Sequence, residues 1–149
     1  MLTSRPWWLF WLPSYFWITI SPRIYYPSGI NPQGYPQGYP QIICHEGTHL
    51  RQQGGAGLIW FLNYIFIPSF RLAMEAEAFA VQCAVDKGMN DPSLAASDLA
   101  GAASALSSWP YFWAASSPAM AQAAIATATT NLCADDLTRI AEATKPWNP

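Results

Sequence analysis

The chain has 149 residues, enough for one domain with a core of its own. Hydrophobic residues make up 52%, charged residues only 11%, and the net charge is −2. No basic stripe exists to neutralise phosphates, so the composition argues against nucleic acid as a partner. The three scattered cysteines make no disulfide framework and no Cys-rich zinc motif. Their odd number leans towards a reducing, cytoplasmic compartment, with a membrane-associated or virion setting as the alternative.

The run from Trp7 to Ile20 is almost wholly apolar and aromatic, and Arg5 precedes it. Pro13 and Ser14 break it, which leaves it too short for a membrane span. It also lacks the small-residue cleavage site of a signal peptide. Residues 1–14 are expected to pack on the domain as an aromatic arm. β-branched and aromatic residues at 15–20 and 23–26, with Pro22 between, predict two short strands: a hairpin, or one bulged edge strand. Residues 27–41 are turn material, in which Gly34-Tyr35-Pro36-Gln37 repeats as Gly38-Tyr39-Pro40-Gln41. This repeat reads as a loop insertion, or as a segment whose tyrosines line the mouth of a site.

A helix is predicted over 41–53, stopped by Gly54-Gly55-Ala56-Gly57. It carries His45-Glu46-Gly47-Thr48-His49, which contains the only two histidines of the chain. Residues four apart share one helix face, so His45 and His49 can hold one metal ion between them. Glu46 then lies where its carboxylate reaches a water on that metal, the arrangement of zinc hydrolases. Cys44 points about 100° away from His45 and belongs to the core. Arg51, Gln52 and Gln53 form a polar exit, facing solvent or bonding behind the ligands.

The next helix, about 58–67, is nearly all apolar and is expected to be buried or partly membrane-facing. Pro68 interrupts, and a long helix runs from 69 or 70 to 87 with Gly88 as its stop. On it Leu72, Glu75, Phe79 and Gln82 share a stripe, and an inward carboxylate is costly unless paired or bound to a metal. A catalytic zinc usually takes three protein ligands, and no third histidine exists. Antiparallel packing against the first helix would bring Glu75 or Glu77 to the metal. Two residues apart, they face different ways, so only one can bind. Glu75 is the choice; Glu77 is the alternative, otherwise a surface residue or an acceptor for a ligand histidine. Arg71 either pairs with a carboxylate or faces solvent.

Asn90-Asp91-Pro92 signals another helix, alanine-rich, to about Leu106. Trp109-Pro110-Tyr111-Phe112-Trp113 should pack on the body as an aromatic turn. Ser117-Pro118 opens a helix to about Cys133, whose Ala and Thr content suits close packing or a plain surface. A last short helix starts at Asp135 or Asp136 and ends at Ala143, and the tail after Lys145 frays. Asp98, Asp135 and Asp136 read as caps or surface residues. The class is α+β, mostly helical, with a short N-terminal strand or hairpin beside the metal-binding helices.

His45-Glu46-x-x-His49 followed by Glu75-x-x-Ala78 resembles the zincin metallopeptidases of the glutamate-ligand type, the gluzincins. The wider pattern (a strand, a proline-rich turn, the histidine motif with Arg-Gln-Gln, an apolar helix and a Glu-rich helix) is similar to small zincin-like proteins of phages and bacteria. The likeness covers residues 15–87 of a single domain, 1–149, and does not explain the alanine-rich part, 88–149. It implies one zinc ion per chain held by His45, His49 and Glu75. Glu46 would be the general base in hydrolysis of a peptide or protein substrate, or of a cell-wall peptide amide. In the family, an edge strand beside the metal helix often pairs with extended substrate. Where the family commonly has Asp or Asn after x-x-Ala, this chain has Phe79, so a customary bond to the ligand histidines is expected to be missing. Tyr35, Tyr39, Tyr64 and Arg71 are the candidates to stabilise the transition state. Two other readings stand beside this one. The first is a zincin fold that binds or builds without turnover, in a phage particle or on a membrane surface. The second is a helical membrane-associated protein with a chance motif.

Overall fold

The computed structural model describes residues 2–7, 16–27, 29, 40–54, 57–88 and 92–144. The duplicated Tyr-Pro unit with Tyr35 and Tyr39, most of the N-terminal aromatic run and the tail after 144 lie outside the described residues.

The two expected strands form as β2 (Ile18–Ile20) and β3 (Arg23–Tyr26), an antiparallel hairpin in the register Ile18↔Tyr25 to Ile20↔Arg23. The start of the expected arm is instead a third strand, β1 (Leu2–Ser4), parallel to β3 from Leu2↔Ile24 to Ser4↔Tyr26. The sheet order is β1-β3-β2, so β1 pairs the side of β3 that the hairpin leaves open. Three residues are too few to carry a readable alternation, and only the pairing shows them as a strand.

The helices are α1 (Pro40–Gln53), α2 (Gly57–Phe66), α3 (Pro68–Gly88), α4 (Pro92–Leu106), α5 (Pro118–Thr129) and α6 (Ala134–Ala143). Four of these described helices open on proline, whose fixed φ suits the first turn and whose missing N–H is not needed there. Gly54 ends α1 at φ +40°, its N–H bonded to Leu50 O at 3.2 Å. Ser117 caps α5 by accepting from Met120 N at 3.2 Å. Pro68 therefore begins α3 rather than breaking a helix, after a bend of 107° from α2. The fifth helix stops at Thr129, short of the expected Cys133, which becomes the residue capping α6.

The long helix α3 is the axis: it touches each of the other five described helices. Leu72, Ala76, Phe79 and Ala80 on α3 meet Ala102, Ala103 and Leu106 on α4 and Ala121 and Ile125 on α5 in one buried cluster. Small side chains let the three helices approach closely, the packed alternative for the alanine-rich part. Against the other side of α3 lies α1, which also touches the sheet, α2 and α6.

The expectation that α2 is buried does not hold. Only Trp60 is buried; Leu58 is 70% and Phe66 73% exposed, and Ile59, Phe61, Leu62 and Ile65 are exposed as well. The bend at Pro68 turns α2 by 107° from α3, and burial, one of the two expectations for it, is the one that fails. Among the described residues no single helix is long and apolar enough to cross a membrane. The aromatic turn likewise leaves Trp109, Phe112 and Trp113 exposed, while Tyr111 is half-buried.

Arg71 neither pairs with a carboxylate nor faces solvent. It is buried and donates to four backbone carbonyls: Tyr64 and Ile65 at the end of α2, and Tyr111 and Phe112 in the aromatic turn. The last carbonyls of a helix have no partner within it, and Pro68 has no N–H to offer. One guanidinium satisfies them and ties the two segments together, which removes Arg71 from the transition-state candidates.

Candidate metal centre

On α1, His45 and His49 stand one turn apart and both side chains are buried, His45 against Phe79 of α3 and His49 beside Trp60 and Tyr64 of α2. From α3, Glu75 (1% exposed) enters between them. His45 Nε2 lies 3.6 Å from Glu75 Oε2, and His49 Nε2 lies 3.3 Å from Glu75 Oε1. The ligating atoms of the three residues all lie within 4.8 Å of one another, close enough to hold a metal ion. Ligands 2.0–2.1 Å from a tetrahedral ion stand about 3.3 Å apart, so the His49 Nε2–Glu75 Oε1 separation matches one edge of that tetrahedron. Glu75 Oε2 is buried without a hydrogen-bond partner among the described residues, as a carboxylate oxygen shaped for a cation would be. The donor set of two imidazoles and one carboxylate leaves a fourth position open.

Without a metal the group is a charged cluster. Burial disfavours the carboxylate of Glu75, but His49 and His45 outweigh it and hold Glu75 well below the usual carboxylate range. Burial also opposes charge on His49, yet Glu75, with help from Glu46 and Gln52, pushes it up to about 9. A metal thus competes with a proton at His49 below that pH, and its binding tightens as pH rises towards it.

Glu46 is buried beside the histidines on α1, and Thr19 on β2 donates to its Oε2 at 2.6 Å. The hairpin therefore aims the carboxylate. Thr19→Val keeps the shape and removes the donor, which should cost about 1–3 kcal/mol in urea denaturation. No change would show that water replaces the hydroxyl. The main-chain edge of β2 is already engaged: Gln53 Nε2 donates to Thr19 O and Gln53 Oε1 accepts from Ser21 N, each at 2.8 Å. At that point α1 occupies the edge expected to meet an extended substrate.

Further side chains stand around this centre. Tyr64 on α2 donates its hydroxyl to Glu75 Oε1, and burial followed by the Glu75 charge keeps that hydroxyl protonated far above its ordinary range. Burial, then Glu75 and Glu46, act in the same direction on Tyr111, which packs on Phe79. Phe79 itself lies edge-on to His45 with ring centroids 4.6 Å apart, and His45 Nδ1 has no hydrogen-bond partner among the described residues. Glu77 is turned away from the centre to Arg51 Nη2, at 2.5 Å, and to Gln52 Nε2, at 2.7 Å. Of the two expectations for this polar exit, bonding behind the ligands holds: Arg51 and Gln52 both bond Glu77, and Gln52 also bonds His49.

The C-terminal part also contributes. Asp136 is fully buried, against the expectation of a cap or surface residue, whereas Asp135 is exposed and Asp98 is half-buried against Gln82. Asp136 accepts from Arg51 and Arg139, and Arg139 donates on to Gly47 O inside the histidine motif at 2.6 Å. A shallow groove between α3 and α5, lined by Ser69, Ala76 and Ala124 among others, has no ionisable lining and takes no part in the centre.

Fold and site together define a mostly helical α+β protein with a buried two-histidine, one-glutamate group able to hold a metal ion. No family model, curated protein or solved structure matches the chain.

Proposed function

We propose that this protein is a zincin-like hydrolase that cleaves peptide bonds with one zinc ion. The supporting observation is the convergence of His45, His49 and Glu75 on one point with Glu46 beside the first histidine. Two imidazoles, one carboxylate and an open position suit zinc better than magnesium or calcium, which prefer oxygen ligands throughout. The bound metal would supply Lewis acidity, activating water and polarising the scissile carbonyl. Glu46 takes the proton of the attacking water and passes it to the leaving amine. Thr19 orients Glu46, and Tyr64, the remaining described candidate for a donor to the developing oxyanion, would have to turn its single O–H from Glu75 to serve there.

The test is hydrolysis of a peptide library by the full chain, removal of that activity by a chelator, and its return with zinc. Activity that survives complete metal removal would reject the proposal. One observation favours a second reading, a metal-stabilised protein without turnover that docks on a membrane surface or a protein: the exposed apolar face of α2. In that case zinc is present and no peptide in the library is cut.

A further inference from the structure

We propose that Gln52 is the positioning residue that sets the tautomer of His49, so that Nε2 keeps its lone pair for the metal. The inference rests on the metal centre described above. Gln52 Nε2 donates to Met74 O at 2.9 Å and to Glu77 Oε2 at 2.7 Å. A carbonyl and a carboxylate only accept, so the amide NH2 must face them, and a flipped amide would set oxygen against two acceptors. Gln52 Oε1 is thereby turned to His49 Nδ1, at 2.8 Å. An amide oxygen only accepts, so Nδ1 carries the proton. In neutral His49 the lone pair then sits on Nε2, the atom 3.3 Å from Glu75 Oε1. Glu77 is itself kept in place by Arg51.

The two ligand histidines are thus held by different forces. Phe79 packs on His45 and offers no acceptor to its Nδ1, while a polar relay from Glu77 through Gln52 fixes His49. Gln52 lies one helical turn beyond His49, so the relay is built into the same helix face. The second glutamate of α3, which does not reach the metal position, acquires a role through this amide.

The experiment uses the full-length protein and zinc alone as the probe. Zinc affinity is measured by competition with a chromophoric chelator, and the zinc-loaded histidine ring nitrogens are observed by NMR. Gln52→Leu should weaken zinc binding about 10–100-fold and shift or broaden the His49 Nδ1–H signal, leaving that of His45 in place. The paired exchange Gln52→Glu with Glu77→Gln keeps an acceptor at Nδ1 and a donor between the two side chains but loses the bond to Met74 O, and should recover part of the affinity. Unchanged affinity and an unchanged His49 signal in Gln52→Leu would overturn the proposal. So would a loss that the paired exchange fails to restore. A wild-type protein that binds no zinc would instead reject the metal centre itself, and the inference with it.

Discussion

Glu46→Gln should lower peptide hydrolysis by about 10²–10⁴-fold while the protein still binds one zinc ion. Glutamine keeps the size of Glu46 and can still accept from Thr19, but it cannot take a proton from water. Glu75→Ala separates binding from chemistry in the other direction. Glu75 is the only carboxylate in the buried three-residue group, so its removal leaves two histidines and should abolish tight binding. A ligand that binds only the folded state stabilises it by about 2.7 kcal/mol at a hundred-fold excess over Kd. For a chain of this size, zinc should therefore raise the wild-type Tm by roughly 5–11 °C. The same zinc should leave Glu75→Ala unmoved. Glu46→Gln should show the full thermal shift. Equal activity of Glu46→Gln and wild type would remove Glu46 from the mechanism, and an undiminished thermal shift in Glu75→Ala would remove Glu75 from the metal.

Asp136→Asn should destabilise the fold by about 3 kcal/mol, a drop in Tm of roughly 6–12 °C. The carboxylate is wholly buried and holds Arg51 and Arg139 at once. Removing its charge leaves Arg139 with the Gly47 carbonyl and no carboxylate partner among the described residues, while Arg51 keeps Glu77. The side chains of Arg51 and Arg139 are 29% and 27% exposed, so water relieves part of the penalty and the low end of the buried-pair range applies. The same pair predicts an acid limb. Burial alone would raise the pKa of Asp136, but the Cys133 thiol, Arg51 and Arg139 together bring it below its ordinary 3.8. A group lowered on folding contributes stability above its unfolded pKa and loses it as pH falls through the folded one. Denaturation midpoints measured from pH 6 downward should thus fall steeply below about pH 4 in the wild type, with a shallower limb in Asp136→Asn. Parallel limbs would show that Asp136 carries no ionic role.

Several features were legible in the chain before any tertiary contact. The spacing of His45 and His49 is a property of one helix, and helix starts at proline and the stop at Gly54 are local too. The stripe of Leu72, Glu75 and Phe79 was enough to favour Glu75 over Glu77, because a buried carboxylate among apolar neighbours needs a partner. Phe79, read as standing where the family has an acceptor, is the residue that packs on His45.

What tertiary structure alone decided is a set of contacts between residues far apart in the chain. Tyr64 meets Glu75 at a separation of 11 residues, Thr19 meets Glu46 at 27, and Arg51 meets Asp136 at 85. No periodicity encodes which polar side chain will stand opposite another across a helix interface. The apolar run of α2 shows the same limit from the other side. Its hydropathy predicts burial, but the break at Ile67-Pro68 turns the helix by 107° and leaves most of its large side chains in the open. Hydrophobicity sets the tendency to be covered; the angle at which one helix leaves another decides whether the rest of the chain can reach to cover it.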